Sequence, residues 1–363
     1  MTVNDALYEL KAAVTDAVGG PVTALADVER IPLDYDAFLA HRTVSRIQGH
    51  ALVGGERVAW SMIEKRTAGP ALASAYLLDN GRREVNAYAS GVLAGIAPGI
   101  GTPRMHGKLR DAEGGMTLWL EEIRHEGARP LDAETVLAAA HDLGGMGGLW
   151  AGRRLPEPWY FSGWIDRHSQ PEAIEQGLAT LRRRDPRAAA HLGDRLAAAE
   201  QLVLNQARYR GILESLPHTL CHHDAGGANV FHSRGRTVLI DWESIGPGPV
   251  GADLASLLFS SVRRGDALAS VVMPLVEEAL DTYSTALRAE APTVTFKNIR
   301  LGFDAAVALR WKLAVDVVAG IEKGEPPRRG SLPDEDPAAA LEELIALVDL
   351  LLASAGRALH KAP

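Results

Sequence analysis

The sequence predicts an α+β fold with two lobes, a small β-rich N-lobe over residues 1–122 and a mainly helical C-lobe over residues 123–363. Residues 43–123 alternate short runs of bulky residues with glycine turns around one helix, a pattern typical of strands. Beyond residue 123, apolar residues recur at helical spacing. Residues 217–253 return to short strands and glycine turns, so we expect a strand-containing segment within the helical lobe.

The first predicted element of the N-lobe is a hairpin, with arms at residues 43–52 and 57–65 joined by a turn at residues 53–56. Glycines in a short turn between arms of bulky residues are the usual signal for a hairpin. Residues 82–93 are predicted to form a helix, and residues 116–121 a further strand.

In the C-lobe, Asp132 is a predicted N-cap, because its side chain can accept hydrogen bonds from the first turn of a helix that runs to Leu143. The other predicted helices share apolar residues at helical spacing and few helix breakers. They cover residues 171–184, 187–216, 299–321 and 337–352.

Composition limits the class of protein. The chain has 363 residues, a net charge of −8 and a single cysteine, Cys221, so no internal disulfide can form and a reducing, cytoplasmic location is expected. We read no signal peptide, and no apolar stretch reaches the roughly 18 residues that a membrane span needs. The acidic charge disfavours a nucleic-acid partner and slightly favours a cationic small-molecule partner.

The residues that point to chemistry lie between positions 218 and 243. Asp224 stands on a glycine-containing loop, and Asn229 follows five residues later. A short strand, a turn and a second strand then lead to Asp241. Such a hairpin would return Asp241 to the neighbourhood of Asn229, so that one carboxylate lies beside one amide oxygen.

This set matches the needs of phosphoryl transfer. The reaction requires a carboxylate that accepts the proton of the attacking hydroxyl, and oxygen ligands that hold Mg²⁺ against the phosphates of ATP. Mg²⁺ binds through one or two carboxylates together with phosphate oxygens. Asp224 is therefore the candidate catalytic base, and Asn229 and Asp241 are the candidate metal ligands.

The same segment resembles the signature of the aminoglycoside phosphotransferase and choline kinase family, distant relatives of protein kinases. The family pattern HGD, four residues, N and a later DWE or DFE stands here as residues 222–224, Asn229 and residues 241–243. Asp253 resembles the aspartate of the family's D-L-A element, which is usually structural. The resemblance implies a bilobal protein-kinase-like fold and an ATP- and Mg²⁺-dependent kinase. Its acceptor would be a hydroxylated small molecule such as an aminoglycoside, an amino sugar or an amino alcohol.

The resemblance also implies nucleotide-binding residues in the N-lobe. Lys65, at the end of a predicted strand, would contact the ATP phosphates, with Glu84 near the start of the next helix as its partner. Residues 118–123 resemble the hinge, where Glu121 and Ile123 would offer backbone groups to adenine. The phosphate-covering loop would fall at residues 34–46, which contain no glycine.

Several neighbouring residues are open to two interpretations. His222 is expected to brace the loop rather than carry protons. His223, which replaces the glycine of the family pattern, either contacts the acceptor or is a solvated loop residue. Glu243 is a candidate for contact with the metal or the acceptor. Trp164 and Asp166 either line an acceptor pocket or are a packing tryptophan and an exposed aspartate.

Two other functions compete with the kinase interpretation. The histidines and Cys221 between residues 218 and 232 could form a zinc site or belong to a His-Asp metal-dependent phosphohydrolase. Such hydrolases place the His-Asp pair on a helix, whereas Gly226 and Gly227 follow at once here and disfavour a helix. A catalytically silent nucleotide-binding module is the second alternative, and the complete set of expected catalytic residues argues against it.

Overall fold

The structure is a computed structural model that describes residues 3–33, 42–69, 82–325, 328–330, 332 and 334–361. The strands are β1 (Val22–Pro32), β2 (Arg42–Val53), β3 (Glu56–Thr67), β4 (Ile100–Gly101), β5 (Met105–Arg110), β6 (Met116–Leu120), β7 (His218–Cys221), β8 (Val230–Ser233), β9 (Arg236–Leu239) and β10 (Gly246–Pro249). The helices of the first half are α1 (Val3–Val18), α2 (Arg82–Ala89), α3 (Ala133–Trp150), α4 (Trp164–His168), α5 (Pro171–Arg182), α6 (Pro186–Leu192), α7 (Arg195–Leu204) and α8 (Gln206–Ser215). Those of the second half are α9 (Ala252–Ala255), α10 (Ser261–Arg264), α11 (Ala269–Glu290), α12 (Phe296–Ala308), α13 (Lys312–Lys323) and α14 (Pro337–Lys361).

The first of two compact units comprises Met1–Ile96, Gly101–His125 and Val238–Glu243. It contains an antiparallel sheet in the strand order β1-β2-β3-β6-β5. The predicted hairpin is confirmed as β2 and β3, which are joined by Gly54 and Gly55. Both glycines have positive φ, 59° and 91°, as a tight two-residue turn between twisted strands requires.

Two hydrophobic clusters hold helices against this sheet. In the larger one, α1 packs on strands β1, β2, β3 and β6; its buried side chains include Leu10, Ala13, Val14, Ile47, Met62 and Trp119. In the smaller one, Val85 of α2 packs with Leu118 and Leu120 of β6. Because Lys65 of β3 pairs with Leu118, the smaller cluster brings α2 next to Lys65.

The second unit comprises Ala97–Ile100, Glu126–Thr237 and Ser244–Pro363 and is mainly helical. Within it, β7 pairs with β10 in antiparallel orientation. Among the described residues, no helix is both long and apolar enough to cross a membrane. The lobe division after residue 122 stays a prediction, and Val238–Glu243, which that division gave to the C-lobe, groups with the first unit.

Helix α3 confirms its predicted start and corrects its predicted end. Asp132 caps it, since the side chain accepts a hydrogen bond from the backbone of the first turn. The helix continues past Leu143 to Trp150. A Cβ on Gly144 would lie 2.3 Å from the carbonyl oxygen of Tyr283 in α11. The glycines of this segment allow α3 and α11 to approach closely, and that packing outweighs their low helix propensity.

Two long predicted helices are interrupted. Residues 187–216 form α6, α7 and α8, and Gly193, with φ of 53°, ends the first of them. Residues 299–321 are divided between α12 and α13 by a break at residues 309–311. Helices α1 and α11 and strands β1 and β5 were not predicted. Apolar spacing alone does not reveal such breaks, because the same hydrophobic face continues on either side of them.

The close approach of α3 and α11 generates a test with a matched control on the same helix. Gly144→Ala should lower the free energy of unfolding by about 1–3 kcal/mol, because the new methyl group meets the backbone of Tyr283. Gly145→Ala, where a Cβ meets nothing within 4 Å, should instead be neutral or stabilising by up to about 1 kcal/mol. Urea unfolding measures both, and equal effects would contradict this packing.

Candidate active site

Asp224 and Asn229 lie on one loop that follows β7. The amide Nδ2 of Asn229 donates to the backbone oxygen of Asp224 at 2.8 Å and to its carboxylate Oδ2 at 3.0 Å. The amide nitrogen is thus engaged with Asp224, and Oδ1 is the atom through which Asn229 can ligate a metal. Asp224 is half-buried, so this carboxylate is oriented by the protein and still reaches the surface.

Asp253 fixes the two residues before Asp224. Its carboxylate accepts the backbone N–H groups of His222 and His223, each at 2.8 Å. The side chain is only 2% exposed, and burial raises the pKa of Asp253 to about 6 although these two hydrogen bonds oppose the shift. The predicted bracing role of His222 is confirmed, since its buried ring accepts the N–H of Asp224 through Nδ1 at 3.2 Å.

The interpretation of His223 as a solvated loop residue is wrong. The residue is 6% exposed, and its ring stacks on Trp164 with a centroid distance of 5.1 Å and an interplanar angle of 18°. Burial lowers the pKa of His223 to about 3, so the ring is neutral and donates from Nε2 to the oxygen of Pro247 at 3.1 Å. A Cβ on Gly248 would lie 2.4 Å from this ring. Gly248 therefore provides the space for an imidazole where the family pattern has glycine.

The two interpretations of Trp164 and Asp166 can now be separated. Trp164 is 4% exposed and packs on the rings of His168 and His223, so it is a packing residue. The side chain of Asp166 is 42% accessible and forms an ion pair with Arg210 at 2.7 Å, as expected for an aspartate near the surface.

Lys65 forms the centre of a charged cluster in the first unit. Its Nζ donates to Oε1 of Glu84 at 2.8 Å and to Oδ1 of Asp241 at 2.9 Å. The Lys65–Glu84 pair is the one predicted from sequence, whereas the bond to Asp241 was not foreseen. Burial alone would lower the pKa of Lys65, but the carboxylates of Asp241 and Glu84 outweigh it and raise the pKa well above its usual value. The lysine is therefore fully charged.

Asp241 and Glu243 follow β9 and are both buried. Asp241 has a positive φ of 63°. Glu243 forms an ion pair with Arg42, and its backbone oxygen accepts from Nη1 of Arg83 at 2.8 Å. Burial, together with the neighbouring carboxylate of Asp241, raises the pKa of Glu243 to about 7.

The predicted hinge begins at the end of β6. The backbone N–H of Glu121 donates to the oxygen of Arg104 at 2.8 Å, and its side chain accepts the N–H of Arg104 at 3.2 Å. Glu121 can therefore offer its carbonyl rather than its N–H to a ligand. Ile123 is half-buried in the segment after the strand. Of the predicted phosphate-covering loop, residues 34–41 lie outside the described residues and residues 42–46 belong to β2.

The zinc and hydrolase alternatives find limited support. His222, His223 and Asp224 lie in a loop and not on a helix, unlike the arrangement of the His-Asp hydrolases. In the described part of the chain, the group of side chains close enough to hold a metal is Cys221, His223 and Asp253, with ligand atoms within 4.8 Å of one another. Asp253 already accepts two backbone N–H groups, and burial raises the pKa of the Cys221 thiol well above its usual value, so the neutral thiol is favoured over the thiolate that metals bind.

Residues 91–292, more than half of the chain, match the sequence model of the family described as "Phosphotransferase enzyme family". The chain belongs to this family. It is a phosphotransferase that acts as a small-molecule kinase, and the resemblance seen in residues 222–243 is confirmed. No curated protein matches the sequence significantly.

Several solved structures are similar to this phosphotransferase. The amicoumacin kinase hAmiN, in complex with AMP-PNP, Ca²⁺ and Ami, has a TM-score of 0.50 and 13% identity, over 96% of this chain and 94% of that one. A choline kinase from Cryptosporidium parvum Iowa II has a TM-score of 0.47 and 11% identity, over 92% of this chain and 88% of that one. A putative fructosamine-3-kinase from Thermobifida fusca has a TM-score of 0.44 and 20% identity, over 97% of this chain and 98% of that one. The first likeness supports the fold.

Two buried arginines of the phosphotransferase, Arg42 and Arg310, were not predicted from the sequence. Arg310 interrupts an apolar run in the predicted helix 299–321, and a charge in such a run is a usable signal. Arg42 offers none, because its partner Glu243 lies far away in the sequence and nothing local marks the pair.

The Lys65 cluster predicts a pH-dependent loss of stability in Lys65→Met. Without the ammonium, the buried carboxylate of Glu84, whose pKa burial already raises, loses its main counter-charge. An acid whose pKa is higher in the folded than in the unfolded state stabilises the fold only while it is protonated. Stability should therefore fall as pH rises above the usual glutamate range.

Thermal and urea unfolding of Lys65→Met should show a loss of about 3–5 kcal/mol at neutral pH and above, and a smaller loss under acid conditions. The exposed Lys108 of β5 supplies the control, since Lys108→Met should have little effect at any pH. A loss that is independent of pH would contradict the interpretation.

Proposed function

We propose that the phosphotransferase transfers the γ-phosphoryl group of ATP, with Mg²⁺, to a hydroxyl of a small molecule. The observation that carries this proposal is the bonding of Lys65 to both Glu84 and Asp241. A buried, charged lysine held by a helix glutamate is the arrangement that positions the phosphates of ATP in kinases. The amicoumacin kinase hAmiN is in complex with AMP-PNP and Ca²⁺, which agrees with a nucleotide- and metal-dependent reaction.

Asp224 is the proposed catalytic base. Its carboxylate would accept the proton of the acceptor hydroxyl as the hydroxyl oxygen attacks the γ-phosphorus. The bonds from Asn229 and the support of the preceding residues by Asp253 hold this carboxylate in place. Fixed geometry of this kind lowers the barrier because the reactants need no further ordering.

Asn229 and Asp241 offer the amide and carboxylate oxygens that Mg²⁺ prefers, so the donor set fits this ion. When bound, Mg²⁺ neutralises charge that develops on the transferred phosphoryl group. Lys65 would bind phosphate oxygens, Glu84 would keep Lys65 oriented, and the backbone of Glu121 and Ile123 would bind adenine.

The proposed role of Asp224 predicts the effect of its isosteric replacement. Asp224→Asn should lower the rate of phosphoryl transfer by about 10²–10⁴-fold, because the amide cannot accept the proton, while ATP binding changes little. ATP consumption with Mg²⁺ across aminoglycosides, amino sugars, amino alcohols, nucleosides and sugar acids measures turnover. Asp166→Asn, which alters an exposed surface pair, is the control. Full turnover in Asp224→Asn would refute the assignment.

The proposed role of Asp241 predicts a different defect. Asp241→Asn should weaken the binding of ATP in the presence of Mg²⁺ by about tenfold or more, equivalent to at least 1.4 kcal/mol, because a metal ligand loses its charge. Binding of ATP without a divalent ion should not weaken. Calorimetric titration with and without Mg²⁺ separates the two, and unchanged affinity for Mg·ATP would count against the metal assignment.

A further inference from the structure

Arg310 is a buried cation in the second unit, in the short connection between α12 and α13. The residue is 9% exposed. Its guanidinium carbon lies 5.7 Å from the ring centroid of Trp164 and 5.8 Å from that of Phe259. Nη1 donates to the backbone oxygen of Ala306 at 3.1 Å. Two aromatic rings and one carbonyl therefore fix the plane and position of the guanidinium.

The charge of Arg310 is not neutralised by a direct ion pair. No carboxylate in the described part of the chain lies within 4.0 Å of its nitrogens. A guanidinium carries five N–H groups. Among the described residues, the hydrogen-bond acceptor for this guanidinium is the backbone oxygen of Ala306. The remaining nitrogens are not among the fully enclosed polar atoms without partners, so they keep some contact with solvent. A buried charge without a close counter-ion is costly, which points to a ligand.

Packing connects this cation to the loop of the proposed catalytic base, because Trp164, over which the guanidinium lies, stacks on His223, the residue before Asp224. Asp224 and Asp253 are the two carboxylates that attract Arg310 most strongly. The carboxylate of Asp253 already accepts the backbone N–H groups of His222 and His223. Of the two carboxylates, Asp224 is therefore the one with a proposed role in the reaction. Burial lowers the pKa of Arg310 to about 10, so the guanidinium remains charged at neutral pH.

The other charged groups around this position are mainly positive. Arg310, Arg167 and Lys312 all lower the pKa of His168, after the larger effect of its burial. Arg263 repels Arg310 but is itself paired with Asp316 at 3.2 Å. A site built for a cation would present unpaired carboxylates, whereas this one presents a guanidinium that has no carboxylate partner in the part of the chain that the structure describes.

We propose that Arg310 binds an oxyanion of the acceptor, so that the acceptor is a hydroxylated molecule bearing a carboxylate or a phosphate. The planar fork of a guanidinium matches two oxygens of either group. With the oxyanion held by Arg310, a hydroxyl on the same molecule is presented to Asp224. The inference rests on the proposed function, and it opposes the slight preference for a cationic acceptor suggested by the net charge of −8.

The alternative role for Arg310 is to keep Asp224 ionised or to pack the loop. The two roles differ in what a substitution changes. A packing or electrostatic role lowers phosphoryl transfer to every acceptor equally. An acceptor-binding role lowers transfer to anionic acceptors, mainly through KM, and spares their neutral analogues.

The test compares matched acceptors: gluconate with sorbitol, glycerate with glycerol, and glycerol 3-phosphate with glycerol. ATP consumption is measured for the wild type, Arg310→Met and Arg310→Lys. Arg195→Met is the control, since Arg195 is exposed and paired with Asp349. The wild type should prefer the anionic member of at least one pair, and Arg310→Met should lower kcat/KM for that member by about 10–100-fold, the equivalent of one or two charged hydrogen bonds. Arg310→Lys should restore part of the loss, because it keeps the charge without the fork.

Preference for gluconate or glycerate identifies the oxyanion as a carboxylate, and preference for glycerol 3-phosphate identifies it as a phosphate; either supports the proposal. Preference of the wild type for the neutral members overturns it, as does an equal loss for both members of each pair in Arg310→Met. If none of these acceptors is phosphorylated, calorimetric titration with acetate and inorganic phosphate decides. Binding that Arg310→Met weakens at least tenfold supports the proposal, and binding that is absent or unchanged overturns it.

Failure of the proposed function is recognised separately. ATP binding and slow hydrolysis of ATP by water do not depend on an acceptor, and both should persist in Arg310→Met. If the wild type neither binds nor hydrolyses ATP, the proposed use of ATP is refuted. If it does both but uses acceptors without selectivity, only the role of Arg310 is refuted.

Discussion

Two backbone N–H groups, those of His222 and His223, donate to the buried carboxylate of Asp253, and the loop that carries Asp224 depends on this interaction. His223 has a φ of 64°, a left-handed conformation that favours glycine. The two hydrogen bonds and the stacking on Trp164 offset the strain. These contacts of the two preceding residues orient the backbone at Asp224, independently of the contacts that Asp224 itself makes.

Buried charge differs between the two candidate regions. In the first unit, Lys65 is held by two carboxylates, so its charge is balanced within the protein. In the second, Arg310 is supported by Trp164 and by a carbonyl but has no close counter-ion among the described residues. Strongly perturbed ionisable groups concentrate at functional sites because the fold bears their desolvation cost for a purpose. The imidazole of His223 and the guanidinium of Arg310 contact the same tryptophan, Trp164. The replacement of the family's glycine by His223 therefore lies next to Arg310.

Features controlled by short-range contacts could be predicted from the sequence. The turn at Gly54 and Gly55 and the cap at Asp132 depend on a few adjacent residues whose backbone preferences are strong. The pair of Lys65 and Glu84 was predicted from the resemblance to the phosphotransferase family, and the two side chains do form a hydrogen bond. The two short strands predicted on either side of the turn at Gly235 are also present, as β8 and β9.

The sequence by itself determined the fold class, the family signature and the identity of Asp224, Asn229 and Asp241 as candidates. The tertiary structure alone decided where helices break, that α3 remains helical across its glycines, and that His223 is buried. It alone brought Arg310 and His223, the residue before Asp224, onto the same tryptophan. The physical reason is that burial and pairing depend on residues distant in the chain. The apolar run around Arg310 marks the position as unusual, but the two aromatic rings that enclose its guanidinium come from distant parts of the chain.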